Sequence, residues 1–195
     1  MNRTIEYYNE NAEKFISDTQ TVSMSEVQKV FLSNIPVGGK ILDLGCGSGR
    51  DSKAFIDAGY NVVSVDGSWQ MCDATSKLTG HPTICSTFQD YKTTDIFDGI
   101  WACASLLHLS FDDIEKVVKK LANNLSENGC FYMSFKYGQY CGERNGRFFT
   151  DLDELQVKAL IERIPLLKLD TIKLTSDVRP GRDDEKWLNC FCSRT

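Results

Sequence analysis

Residues 41–51 read Ile41-Leu42-Asp43-Leu44-Gly45-Cys46-Gly47-Ser48-Gly49-Arg50-Asp51, an apolar run joined to closely spaced glycines and then to a helix-forming segment. Ile41, Leu42 and Leu44 suit a strand buried on both faces. Gly45, Gly47 and Gly49 permit positive φ and close backbone approach where the chain turns. Arg50 to Ala58 can follow as a helix whose first amides face whatever the loop holds, which suits a nucleoside cofactor. A dinucleotide fingerprint wants G-x-G-x-x-G, but here the third glycine comes one residue early and Arg50 stands where that helix needs a small residue. The spacing is G-x-G-x-G, preceded by the acidic Asp43.

Working outward, Asn61 to Asp66, N-V-V-S-V-D, is a short β-branched run that ends in a carboxylate. A second parallel strand there brings Asp66, with Gly67 behind it, beside the glycine loop, where it can accept hydrogen bonds from both hydroxyls of a ribose. Thr83 to Phe88 reads as a third strand followed by Gln89 and Asp90. Phe97 to Ala102 is a fourth, apolar enough for the centre of a sheet, and leads into Cys103 to Leu109. In a doubly wound sheet Asp43, Asp66 and Asp90 then lie along one edge. Helices are expected over Thr4 to Ser17, Ser25 to Asn34, Ser68 to Leu78 with a serine cap, and Asp151 to Ile164 capped by Thr150 and Asp151. Phe111 to Leu125 is the clearest amphipathic helix, with Ile114, Val117, Val118, Leu121 and Leu125 on one stripe and Lys116, Lys119 and Lys120 among the solvated residues opposite. Cys130 to Phe135 makes a fifth strand, Lys136 to Phe149 a structured loop, and Leu169 to Val178 with Lys186 to Ser193 a late hairpin.

These motifs resemble those of the class I S-adenosylmethionine-dependent methyltransferases. The resemblance implies an α/β fold: a three-layer Rossmann-like arrangement around a seven-stranded, mostly parallel sheet with an antiparallel C-terminal hairpin strand. It implies S-adenosyl-L-methionine as cofactor, held by Asp43, Gly45, Gly47 and Gly49 at the methionine part and by Asp66 and Gly67 at the ribose. Met71 would face the adenine, Gln89 and Asp90 its amino group, and Cys103 completes the cofactor side. The text Y-Y-N-E-N-A-E-K-F resembles the N-terminal lid helix of small methyltransferases, so Tyr7 and Tyr8 are candidates to touch cofactor or substrate, although core aromatics and a core methionine at Met71 are the plain alternatives. F-K-Y-G, G-R-F-F-T and R-P-G-R-D-D-E-K-W-L-N resemble stretches of a small bacterial group described as tellurite-resistance-like or ubiquinone-biosynthesis-like. Within one domain over 1–195, residues 1–36 would form the lid, 37–135 the cofactor-binding core, and 136–195 the substrate-side loops and hairpin.

Composition bounds the function. A chain of 195 residues, 42% hydrophobic and 25% charged, suits one soluble globular domain. A formal charge of −5 argues against a broad phosphate-binding surface, and the Asn or Asp with two prolines typical of base methylation is missing after the fourth strand. Eight cysteines without C-x-x-C read as reduced thiols in a cytoplasmic protein, with no metal site. No apolar signal core and no run of about 18 apolar residues argue against secretion and membrane spanning.

Methyl transfer from a sulfonium is an in-line displacement, so positioning supplies much of the rate and no covalent nucleophile is needed. A thiol, selenol or soft oxyanion acceptor needs no base; for a hydroxyl, His108 and Tyr137 are the catalytic candidates, against a structural role for His108. For substrate binding the candidates are Tyr8, Lys136, Arg147, Arg179, Arg182 and Trp187, with Arg144 in the same cluster of cations, which suits a small anionic acceptor. The competing expectation is that these cations pair with Glu143, Asp183, Asp184 and Glu185 at the surface. A nucleic-acid or protein methyltransferase, a non-catalytic cofactor-binding module and, more distantly, a nicotinamide oxidoreductase are the other function classes.

Overall fold

In chain order the computed structural model, which describes residues 3–195, runs through α1 (Arg3–Glu10), α2 (Ala12–Thr19), α3 (Ser25–Leu32), β1 (Lys40–Leu44), α4 (Arg50–Asp57), β2 (Asn61–Asp66), α5 (Trp69–Thr79) and β3 (Ile84–Cys85). It continues with β4 (Phe97–Ala102), α6 (Phe111–Ala122), β5 (Leu125–Lys136), β6 (Cys141–Arg144), β7 (Arg147–Thr150), α7 (Glu154–Glu162), β8 (Leu167–Ser176) and β9 (Lys186–Arg194). One sheet has the order β3-β2-β1-β4-β5-β9-β8. Its first five strands are mutually parallel, and β9 is antiparallel to both β5 and β8. This is the Rossmann-like methyltransferase sheet that the motifs implied.

The sheet is buried on both faces because its strands alternate between two apolar clusters. Leu42, Ile100, Phe131, Met133, Cys190 and Cys192 pack on one side with the α6 stripe and with Val157 and Leu160 of α7. Ile41, Trp101, Tyr132 and Phe191 point the other way, onto Phe31 of α3 and Phe55 of α4. The centre of that second cluster is Trp101 stacked on Tyr132, ring centroids 4.0 Å apart. Each such fully buried ring contributes about 2 kcal/mol from desolvation alone.

Five local expectations need correction, the first being that Leu125, expected on the α6 stripe, opens β5 instead, α6 ending at Ala122. The N-terminal helix is two helices separated at Asn11, although Asn11 N–H to Tyr7 O and Phe15 N–H to Asn11 O carry the bonding across the join. The third strand keeps only Ile84–Cys85, because Thr87 turns the chain by accepting from Asp90 N–H and closing Tyr91 N–H onto its carbonyl. Residues 141–150 are a β-hairpin rather than a loop, turning at Asn145 (φ 49°) and Gly146 (φ 77°). Two consecutive left-handed residues are what a two-residue turn needs to match strand twist, and Asn-Gly is the sequence that supplies them. The cap of α7 is Asp153, not Thr150 or Asp151; its side chain accepts from Gln156 N–H while Gln156 answers to Asp153 N–H.

Candidate active site

Over the ends of β1, β2 and β4 lies a cavity of about 760 Å³, floored by the glycine loop, walled by the β6–β7 hairpin and by residues 175–189, and roofed by α1 and α2. The roof is tied down by hydrogen bonds from Phe148 N–H to Thr4 Oγ1 (3.1 Å), Ser68 Oγ to Asn9 Oδ1 (2.7 Å) and Thr19 Oγ1 to Ser48 Oγ (3.1 Å).

Gly45 must be glycine. Its φ is 84°, and a Cβ there would stand 2.3 Å from Ser105 Cβ. Both Gly45 N–H and Cys46 N–H donate to Val65 O, which binds the loop to the end of β2. Asp66 holds the next turn: Oδ2 accepts from Gly47 N–H at 2.9 Å and Oδ1 from Ser68 N–H at 2.8 Å. Burial raises its pKa, opposed by those amides, and each oxygen keeps acceptor capacity toward the cavity.

Of the cofactor-side candidates, Gly45, Gly47, Asp66, Gly67, Met71, Gln89 and Cys103 line the cavity. Asp43, Gly49 and Asp90 do not. Asp43 sits beside Ser64 in register, turned under α4, where Ser52 Oγ donates to it at 2.6 Å. Burial, then the nearby Asp51, pushes its pKa up to about 8. Gly49 serves the turn into α4 (φ 80°), packed against Thr75, and Asp90 is exposed, taking a hydrogen bond from Thr87 Oγ1.

His108 and Tyr8, one hundred residues apart, meet at the cavity wall with Nε2 and Oη 2.8 Å apart. His108 Nδ1 lies 2.7 Å from Phe148 O, which can only accept, so Nδ1 carries the proton and Nε2 receives the Tyr8 hydroxyl. Desolvation lowers the His108 pKa to about 4, which leaves the ring neutral at pH 7. Burial raises the Tyr8 pKa, while Arg147, whose Nη1 donates to Tyr8 Oη at 3.3 Å, works against that rise. Tyr137 lies outside the cavity, 43% exposed and paired through its backbone with Leu152, so its placement beside the reacting groups is corrected.

Lys136, Arg144, Arg147, Arg179, Arg182 and Trp187 all line the cavity. Most of the cations are nonetheless paired, as the competing expectation held in part: Lys136 and Arg182 with Glu185, Arg144 with Asp151 and Arg179 with Asp177. Trp187 donates to Asp177 Oδ2 at 3.0 Å.

Several site residues escaped the sequence reading. Asp51 lines the cavity and gathers Gln28, Arg50 and Trp101 Nε1, at 2.7–2.9 Å. Ser105 Oγ is buried beside Gly45 with no hydrogen-bond partner among the described residues. Lys120, placed on the solvated stripe of α6, reaches back to the carbonyls of Phe88, Gln89 and Tyr91 at 2.8–2.9 Å and shapes the loop that carries Gln89. Only the Asn145-Gly146 turn had a local signal.

Residues 41–129 match a family model described as a methyltransferase domain. A Bacillus subtilis (strain 168) protein named "Putative methyltransferase YqeM" is 29% identical over 133 residues, 63% of this chain and 53% of the relative, so the chain spans about half the length of that relative. Among solved structures, 1,6-didemethyltoxoflavin-N1-methyltransferase of Burkholderia thailandensis, with bound 1,6-didemethyltoxoflavin and S-adenosylhomocysteine, superposes with a TM-score of 0.78 at 15% identity, covering 99% of this chain and 88% of that one. A TehB-like methyltransferase from Corynebacterium glutamicum gives 0.71 at 17% identity over 98% of both chains. At such identities the likeness is one of fold.

Proposed function

We propose that the chain is a class I S-adenosylmethionine-dependent methyltransferase, a reading supported by its matched domain over residues 41–129 and by its fold, and that it moves a methyl group by in-line displacement to a small, anionic acceptor. The observation that carries this reading is a single covered cavity joining Asp66 and the glycine loop to the Tyr8–His108–Arg147 group. The residues present fit the cofactor: Asp66 has acceptor capacity for ribose hydroxyls, Gly45 leaves room against Ser105, and Ser105 Oγ is a buried polar group awaiting a partner. Met71 and Gln89 supply the adenine side. When bound, the cofactor brings an electrophilic methyl group on a sulfonium.

The chain's own work is positioning and proton handling. Neutral His108, acting through the Tyr8 hydroxyl, is the group able to receive a proton from an acceptor O–H or N–H; an acceptor arriving ionised needs neither. The roof of α1 and α2 covers part of the cavity and favours a small acceptor over a polymer. Assignment to the small bacterial tellurite-resistance-like group draws on the R-P-G-R-D-D-E-K-W-L-N segment and the TehB-like fold neighbour. A cytoplasmic location is supported by eight unpaired thiols; among the described residues no helix is long and apolar enough to cross a membrane.

Calorimetric titration with S-adenosylmethionine, S-adenosylhomocysteine and NAD tests the premise. Both sulfur cofactors should bind, NAD should not, and Asp66→Ala should weaken them at least tenfold. Preference for NAD, or unchanged affinity in the variant, overturns the reading.

A further inference from the structure

Seven Lys and Arg side chains line the cavity, and six of them are paired with a carboxylate: Lys14 with Asp18, Arg50 with Asp51, Lys136 and Arg182 both with Glu185, Arg144 with Asp151, and Arg179 with Asp177. Arg147 is the exception. Among the described residues its guanidinium meets no carboxylate; it lies over the rings of Tyr7, Phe149 and Tyr8, 4.5–5.6 Å from their centroids, and spends Nη1 on Tyr8 Oη. Its Nε is buried without a hydrogen-bond partner among the described residues. Asp66, which lines the same cavity, makes no ion pair with Arg147 and accepts from the Gly47 and Ser68 amides instead.

The same chain shows what an arginine edge of this kind receives. Arg50 uses Nε and Nη2 to grip the two oxygens of Asp51 at 2.9 and 2.8 Å, and Arg179 uses the same two atoms on Asp177 at 2.9 and 2.5 Å. In Arg147 that Nε–Nη2 edge has no partner among the described residues. A guanidinium cannot shed its proton to relieve the cost of burial, so a partly desolvated one without a counter-charge is a standing destabilisation that a bound anion removes. One uncompensated charge with a two-nitrogen fork matches a carboxylate better than a phosphate dianion.

We infer that the methyl acceptor carries a carboxylate, and that this carboxylate seats on the Nε–Nη2 edge of Arg147, within the aromatic wall of Tyr7, Tyr8 and Phe149. The inference rests on the methyltransferase reading and narrows it: of the cations in the wall, Arg147 alone is left to bind, and its contact with Tyr8 Oη ties the anchored acceptor to the Tyr8–His108 pair.

The test uses the full chain saturated with S-adenosylhomocysteine, with benzoate, benzamide and inorganic phosphate as probes, read by calorimetry and by melting temperature. Benzoate should bind and raise the melting temperature; the neutral benzamide and the phosphate should not. Arg147→Met should weaken benzoate at least tenfold while leaving S-adenosylhomocysteine affinity within about twofold, and it should not lower the melting temperature of the ligand-free protein, whereas Arg179→Met, which strands Asp177, should. Should Arg147→Met fail to fold, Arg147→Lys keeps the charge, removes the fork, and should still weaken benzoate severalfold. Benzoate binding absent, unchanged in both variants, or matched by phosphate overturns the proposal. So does a loss of S-adenosylhomocysteine affinity in Arg147→Met, which would give that edge to the cofactor's own carboxylate. Failure of S-adenosylhomocysteine to bind the wild-type chain is separately visible and removes the methyltransferase reading itself.

Discussion

His108 shows how one side chain can report on the site before any acceptor is known. Its folded pKa is about 4 against 6.5 for the free ring, so between those values the unfolded chain binds the extra proton and stability falls as the pH is lowered through that window. Urea unfolding at pH 7 and pH 4.5 should show a loss of about 2–3 kcal/mol from this group, and His108→Gln should abolish that part of the acid loss while leaving other carboxylate contributions in place. An unchanged pH dependence in the variant would mean that the ring is not held neutral against Tyr8. Tyr8 and His108 are both candidates on residue type and position, but their 2.8 Å contact cannot be read from spacing, because it depends on α1 packing against β7 and α5.

Elements carry the site through contacts that residue type does not announce. Lys120 belongs to the polar stripe of α6 by periodicity, yet its long stem crosses the helix edge to three carbonyls of residues 88–91. Lys120→Met should therefore cost about 2 kcal/mol, since charged hydrogen bonds are lost, and should weaken S-adenosylmethionine severalfold by loosening Gln89. Its exposed neighbour serves as the control, Lys119→Met changing stability by less than about 0.5 kcal/mol. The β6–β7 hairpin is a second case. Gly146 adopts φ 77°, and a Cβ there would meet the Tyr7 ring at 3.1 Å. Gly146→Ala should cost about 1 kcal/mol in left-handed strain and displace the roof over Arg147, measurable as a lower melting temperature and faster proteolysis of α1.

At the scale of the whole molecule, the two faces of the sheet have different work. The α6–α7 face is apolar packing of aliphatic side chains and phenylalanines, whereas the α3–α4 face joins its aromatic rings to a polar chain that reaches the cavity: Trp101 donates to Asp51, and Tyr132 Oη donates to Asn189 Oδ1 at 2.7 Å. Tyr132→Phe keeps the ring stack but leaves a buried amide oxygen short of its donor. The expected cost is about 1–3 kcal/mol in chemical denaturation, with S-adenosylmethionine affinity nearly unchanged because Asp66 and the glycine loop are untouched. A large loss of cofactor affinity would instead mean that this face controls the floor of the site.

What the sequence by itself determined is the parallel core, the glycine loop and the placement of Asp66. Each depends on short-range rules, namely strand periodicity, positive φ at glycine and the position of a residue just past a strand end. The β6–β7 hairpin is equally legible in Asn145-Gly146, a pair that supplies two consecutive left-handed residues. Only the tertiary structure decided which way Asp43 faces, since one step of strand alternation turns it from ligand to helix. It alone also decided which cation remains unpaired. Lys136, Arg179 and Arg182 carry the same charge as Arg147, and what separates them is whether Glu185 or Asp177 lies within reach. Charge pairing is a property of distances of a few ångströms between segments far apart in the chain, and those distances exist only once the chain has folded.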